Sequence, residues 1–378
     1  MQVTSIDRQK GQRIDSLQAL RALAFLGIFF EHAHFCICWP TLGVSIFFVM
    51  SGFLMTKRYE NVELIPSPKN CFFFSLKKIM KLYPLHIISM LCAAVLSAAR
   101  IANNNDLSLR AIAGLANKII FNAALLQTWF PDCTVSISLN EPAWFLSAAM
   151  FLYFMFPWLK KIINRYSTVE LCILCVIVLL VQTISCVLFL DILGDRKTVY
   201  IWFMYSFPVF RLGDFFIGCV IKRVFYEHNI KSIGTIKATV YELLATALTV
   251  LVFFWCAEEH DNIVLKALSN WTTPYILLAA VWVMLFAAKR GWLTRLLCNK
   301  MTVAVGNISA YAFLIHFVIT LYTPYLLAQM NIAYTGWRSA VIVLAELAVS
   351  IALSVCYKHF DKKIISKHLF TAHGRKAD

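Results

Sequence analysis

The sequence predicts an all-α, polytopic membrane bundle of about ten transmembrane helices with both termini cytoplasmic. Three observations carry that reading: composition, the length of the apolar runs and the placement of the basic residues. Of 378 residues, 60% are hydrophobic and only 15% charged, whereas soluble chains run at about 45–50% apolar and about 25% charged. The mean hydropathy of +0.71 points the same way. A disordered, collagenous, coiled-coil or secreted disulfide-framework protein is excluded on composition alone.

A span needs about 20 mainly apolar residues. Ten stretches qualify: 17–38, 41–56, 79–99, 143–159, 169–190, 199–221, 238–256, 271–288, 303–327 and 339–357. The first is preceded by a polar segment carrying Arg8, Lys10 and Arg13 and lacks a small-residue cleavage pattern, so it reads as a first span rather than a cleaved signal. The stretch 111–127 is apolar but carries Asn117, Lys118 and Asn122. It reads as a surface or re-entrant helix within an outer-face segment, 100–142.

Basic residues arbitrate between these choices, because cytoplasmic loops collect Lys and Arg. Lys57, Arg58, Lys69, Lys77 and Lys78 follow the second span, and Lys160, Lys161 and Arg165 the fourth. Lys222, Arg223, Lys231 and Lys237 follow the sixth; Lys289, Arg290, Arg295 and Lys300 the eighth; Lys358, Lys362, Lys363 and Lys367 the tenth. Every second loop is basic, and the acidic run Glu258-Glu259-His260-Asp261 falls in a loop of the opposite set. Counting 111–127 as a span would break the alternation. The same pattern assigns the net charge of +15 to membrane topology rather than to nucleic acid. The chain reads as one transmembrane domain over 1–378, with a cytoplasmic segment at 1–16 and a basic cytoplasmic tail at 358–378.

The twelve cysteines are scattered, most of them inside apolar runs, where a thiol packs as a small hydrophobe. No metal site or disulfide framework is expected, although Cys36, Cys38 and Cys133 near span ends leave a bridge open.

Ionisable groups inside spans are expensive and therefore mark candidate function. In the first span Arg21 and His32 are eleven residues apart, three turns plus about 20°, so they share a face and are separated by about 16 Å of helix axis. They are expected to open into a common cavity. The alternative is that Arg21 snorkels to the inner surface and His32 satisfies a neighbour. Lys78 and Lys81, three apart, are neighbours if helical; they fit either a phosphate site or an ordinary inner-face anchor. Arg211 lies deep in the sixth span, with Asp214 placed to pair with it at i,i+3. Ser309 and His316, two turns apart in the ninth span, share a face and suit an interhelical polar contact.

Together these residues resemble the acyltransferase 3 family of integral membrane acyltransferases. The first span carries Arg21-x10-His32. Gly43-Val44-Ser45-Ile46-Phe47-Phe48-Val49-Met50-Ser51-Gly52-Phe53 is similar to the family's G-V-x-x-F-F-V-x-S-G-F. Lys78-Ile79-Met80-Lys81 before Tyr83-Pro84 stands where the family has R-x-x-R. Trp144-Phe145-Leu146-Ser147 with Tyr153 and Pro157, Arg211-x3-Phe215-x2-Gly218, and Ser309-x-Tyr311 with His316 resemble the later elements in the right order. Lysines replace the arginine pair, which removes the bidentate fork, and Ala149 stands where the family often has glutamate.

The resemblance implies transfer of an acyl group, usually acetyl, from cytoplasmic acyl-CoA to a hydroxyl of a cell-surface or exported carbohydrate, lipid-linked glycans included. It places the chain in the inner (plasma) membrane, with no bound cofactor and acetyl-CoA as donor substrate. His32 is then the catalytic base or acyl carrier, chemistry an imidazole performs near neutral pH. Arg21, Lys78, Lys81 and Arg211 are candidates for binding the donor. Ser51, Trp144, Tyr311 and His316 are candidates for holding the acceptor or supporting the site, with Trp144 suited to sugar stacking or to core packing. A transporter or flippase of an anionic or glycan substrate would use similar intramembrane cations, and a sensor that kept the fold without the chemistry is a third reading.

Overall fold

The computed structural model describes residues 14–34, 40–105, 107–193, 196–258, 260–270, 273–332 and 337–361. Residues 1–13 and 362–378, with Cys36 and Cys38, lie outside the described residues, and so do Arg8, Lys10, Arg13, Lys362, Lys363 and Lys367. The chain opens with α1 (Asp15–His32), whose first-turn Asp15 suits the positive helix N-terminus. It continues with α2 (Pro40–Arg58) and α3 (Pro68–Ile79), the latter capped by the Ser67 hydroxyl, which accepts from the Asn70 N–H. Then come α4 (Tyr83–Asn103), α5 (Leu109–Ala123), α6 (Cys133–Ser136), α7 (Trp144–Arg165), α8 (Thr168–Leu193) and α9 (Lys197–Ile201). A π-helical turn, Trp202–Ser206, leads into α10 (Pro208–Glu227). The series ends with α11 (Thr235–Ala257), α12 (Ile263–Asn270), α13 (Thr273–Ala288), α14 (Trp292–Leu297), α15 (Lys300–Gly306), α16 (Ser309–Gln329) and α17 (Trp337–Phe360).

Eight segments among the described residues are long and apolar enough to cross a membrane: Tyr83–Asn103, Glu141–Arg165, Thr168–Leu193, Lys197–Glu227, Thr235–Ala257, Ile263–Ala288, Ser309–Gln329 and Arg338–Phe360. They coincide with eight of the ten stretches read from the sequence, and the protein is an all-α, multi-pass membrane bundle. The other two stretches form α1 and α2. These are shorter and more polar, and they lie in the protein interior rather than at its rim. In α1, Leu17, Phe25, Ile28 and Phe29 are buried. The rim is formed by α8 and α11, of whose apolar windows only 11% and 17% are buried; α10 lies at the centre, at 78%.

The centre is tight because glycines let backbones touch. A Cβ on Gly52 would fall 2.1 Å from the Phe215 carbonyl oxygen, and one on Gly218 would fall 2.0 Å from that of Val49. The crossing of α2 and α10 therefore depends on both glycines, which accounts for two of the motifs quoted above: they are halves of one helix crossing.

The basic residues after alternate spans gather at one end of the bundle. There the Lys160 ammonium donates to the Tyr59 and Val62 carbonyls beyond the C-terminus of α2, satisfying groups a helix end leaves open. Lys78 donates to the Tyr59 hydroxyl, and Lys222 pairs with Glu60 at 2.5 Å. At the opposite end lies α5, 15 residues long and too short to span. It exposes Leu109, Ile112 and Ile120 on one side. One local expectation fails: Lys78 and Lys81 do not share a helix. The segment between α3 and α4 is a turn, because Pro84 in the first turn of α4 cannot donate to a preceding turn of helix.

Candidate active site

The centre of the site is a pair of imidazoles. His32 ends α1 and His316 sits mid-way along α16, and their Nδ1 and Nε2 atoms are 3.1 Å apart. His316 is fully buried, ringed by Phe25, Phe29 and Phe313 at centroid distances of 5.6, 6.0 and 6.0 Å. Its Nδ1 lies 3.0 Å from the Ala312 carbonyl oxygen. A carbonyl only accepts, so hydrogen-bond logic assigns the proton of His316 to Nδ1 and leaves its Nε2 a bare acceptor. His32 must then donate from Nδ1. Its own Nε2 is left with an unshared lone pair, the form a proton acceptor or a nucleophile needs.

Two cavities flank this pair. The first, about 250 Å³, is lined by Arg21, Ser51, Arg58, Tyr153, Ala310 and Phe313 among others. Arg58 is exposed at the basic end of α2, so this cavity reaches that end. The second, about 570 Å³, is lined by Arg100 at the end of α4, Arg110 and Lys118 of α5, Glu141 just before α7, and Phe317 and Leu321 further along α16, among others. Along α16, Ala310 and Phe317 are separated by about 10 Å of axis, so the cavities are stacked along the bundle. Phe313 lines the first and packs on His316; Phe317 lines the second and packs edge-on against His32 at 5.3 Å. The imidazole pair stands in the partition.

The expectation that Arg21 and His32 open into one common cavity is therefore corrected. Arg21 lines the first, whereas His32 lines neither, because the rings of Phe313 and Phe317 divide the space between them. The remaining sequence candidates separate clearly. Ser51 shares the first cavity with Arg21. Lys78 lies 4.7 Å from the Tyr59 ring centre and 5.3 Å from that of Phe74. Lys81 is exposed, 4.0 Å from the Asp361 carboxylate and 5.6 Å from the Tyr311 ring centre. Tyr311 donates to Asp361 at 2.8 Å, which ties α16 to the end of α17.

Arg211 lines neither cavity. Its guanidinium is fully buried, pairing with Asp214 at 3.2 Å and donating to the Tyr205 carbonyl at 2.7 Å. Ser45 adds a hydrogen bond to the same carboxylate. This is the geometry of the ion-pair alternative. Trp144 packs on Tyr205 and Phe48 and lies 5.7 Å from the Arg211 guanidinium. It is core, away from both cavities.

Sequence reasoning missed Arg58 and the cations of the second cavity. Ser51 and Arg58 are seven residues apart, two turns on one face, and Arg110 and Lys118 follow an i,i+8 stripe; both spacings were signals. Near the second cavity, burial and then the Asp132 carboxylate push the Cys133 thiol up, so it is held protonated and is no rival nucleophile.

Fold and site together describe a multi-pass membrane bundle with a buried imidazole pair between two cavities. The family profile described as an acyltransferase domain, acyltransferase 3, matches residues 14–358, and the chain belongs to that family of membrane acyltransferases. Among characterised proteins, the acyltransferase MdmB of Streptomyces mycarofaciens is 23% identical over 331 residues, 82% of this chain and 77% of that one. No solved structure matches.

Proposed function

We propose that the protein moves an acyl group, acetyl in the simplest case, from acyl-CoA in the cytoplasm to a carbohydrate hydroxyl beyond the inner membrane. The observation that carries this is the imidazole pair standing between two stacked cavities of unlike character. The basic end of the bundle faces the cytoplasm on the positive-inside rule, so the first cavity is the donor's. At about 250 Å³ it suits a slim thioester arm, and a nucleotide would stay at its mouth, where Arg58 and Lys81 are placed to meet phosphates. Arg21, deeper, meets the thioester carbonyl as charge develops on its oxygen.

In the reaction, His32 Nε2 takes the proton of the acceptor hydroxyl as that oxygen forms the new C–O bond to the acyl carbon. The C–S bond breaks, and the coenzyme A thiolate recovers the proton from the imidazolium. Alternatively, Nε2 bonds to the acyl carbon as the C–S bond breaks, and the acceptor oxygen then takes the acyl group from Nε2 while its proton passes to the coenzyme A thiolate; either route needs the unshared lone pair that His316 secures. His316 is a positioning residue, holding the His32 ring and its tautomer. Phe313 and Phe317 must turn to let the acyl carbon reach His32.

The test is labelled acetyl-CoA supplied to one side of vesicles containing the protein, with a glycan on the other. Label on the glycan supports transfer, and its loss in His32→Ala supports the base. Glycan crossing unmodified makes the protein a transporter, and full transfer by His32→Ala removes the imidazole from the mechanism.

A further inference from the structure

The second cavity is electrostatically one-sided. Arg100 of α4 and Arg110 and Lys118 of α5 line it, and Glu141 is the only carboxylate among its described lining residues. Its geometry is that of a cleft and not of a flat basic surface. Arg110, Gly114 and Lys118 follow one another at intervals of four along α5, so they share one broad face, with the two cations about 12 Å apart along the axis. Gly114 lies between them, and a Cβ there would meet nothing within 4 Å; the helix surface is hollow where the charges flank it. The opposite face of α5 carries exposed Leu109, Ile112 and Ile120, which suits it to rest in the outer lipid and turn its cations inward. Across the cleft, Arg100 Nε donates to the Tyr325 hydroxyl at 2.5 Å, with the guanidinium 5.4 Å from that ring centre. That contact fixes the guanidinium plane, and Arg retains further donors for a ligand.

We infer that this cavity selects its acceptor by negative charge: the substrate class is an anionic saccharide, bearing a carboxylate or phosphate that Arg110, Lys118 and Arg100 receive. The inference rests on the proposed carbohydrate transfer and names the substrate class for it. A volume of about 570 Å³ lies within the usual range of small-ligand sites, about 300–1,000 Å³. Glu141, in the same lining, accepts sugar hydroxyls, and Phe317 marks the side on which the reacting hydroxyl meets His32. A phospholipid headgroup offers the same anionic chemistry, so the experiment has to separate the two sources.

The full chain is placed in phosphatidylcholine nanodiscs, with binding read by thermophoresis of a fluorescein-labelled hyaluronan tetrasaccharide and of the same tetrasaccharide with its carboxyls methyl-esterified. The acid is expected to bind about tenfold tighter than the ester, the scale of a few partly screened charge pairs. In Arg110→Gln/Lys118→Gln that preference is expected to fall to about twofold or less, while Arg110→Lys/Lys118→Arg keeps it and shows that the helix still folds. Equal affinity for acid and ester, or a preference that survives the glutamines, overturns the inference. So does displacement of the acid by phosphatidylglycerol added to the nanodiscs, which would make the cleft a headgroup site. Acetyl transfer from acetyl-CoA to the two probes is scored separately. Transfer with no charge preference overturns this inference alone; a charge preference with no transfer overturns the transferase reading and leaves the anion site standing.

Discussion

The two cavities share one partition and differ in almost everything else. The first is walled by apolar side chains such as Phe47, Met50, Leu54 and Phe145, with Arg21 and Arg58 as its cations. The second is more than twice as large and is lined by serines, three cations and Glu141. A narrow apolar channel and a wide polar cleft cannot serve the same ligand equally well, since an unpaired polar group is costly in the first and an apolar one gains little in the second. Under the proposed reading, the first holds a thioester arm and the second a saccharide, and the imidazole pair stands between them. Substitutions that act on one side alone test that division.

The largest effect is expected at the partition. His32→Ala should remove general-base catalysis, about 10²–10⁴-fold in kcat, and more if the imidazole carries the acyl group. His316→Phe keeps a ring of similar size but takes away the acceptor for His32 Nδ1–H. It should cost about 10²-fold in kcat with both KM values little changed. The double variant should be no slower than His32→Ala, because residues acting as a unit are not additive. An additive double loss, in single-turnover rates, would separate the two histidines.

Steric plugs sharpen the division next. Ala310→Phe fills the donor side and should raise the KM for acyl-CoA about tenfold or more while sparing the acceptor KM. Gly114→Leu fills the hollow of α5 and should do the reverse, without harm to the helix, where leaving glycine gains up to about 1 kcal/mol. If each plug raises both constants, the partition does not separate the substrates.

Arg211 provides the contrast of a buried charge belonging to neither cavity. Arg211→Met strands the Asp214 carboxylate and should lower stability by about 3–5 kcal/mol, and Arg211→Met/Asp214→Leu should recover much of it. Thermal unfolding in detergent reads both. A stable single variant would show that Asp214 is not charged beside it.

Much of this was legible in the chain. Eight of the ten apolar stretches, the alternation of basic loops and the surface nature of α5 follow from local pattern, because a helix that must span lipid has to show it in about 20 consecutive residues. His32 stood out as a candidate through its spacing from Arg21 and through the motif. The contact between His32 and His316 was not, since it joins positions 284 residues apart, and periodicity gives the face of a helix but not the neighbour that meets it. Arg211 and Asp214 were legible as a pair, yet a buried ion pair and a phosphate site leave the same trace in a sequence. The turn between Lys78 and Lys81 was signalled by Pro84 and outweighed by the i,i+3 spacing. The division of one expected cavity into two depends on where Phe313 and Phe317 point, which packing alone decides.

The smallest predicted effect is at the mouth of the donor cavity. Arg58 is exposed at the end of α2, so water and salt screen its attraction to a phosphate, and an exposed pair of this kind contributes about 0.2–1 kcal/mol. Arg58→Gln should accordingly raise the KM for acetyl-CoA about two- to fivefold and leave kcat and the acceptor KM alone. The increase should shrink as salt is raised from low ionic strength to about 0.15 M, where the screening length falls to about 8 Å. Pantetheine thioesters, which lack the nucleotide phosphates, should not distinguish Arg58→Gln from the parent. If they do, Arg58 acts on the channel wall rather than on charge, and the phosphate end of the donor is held elsewhere.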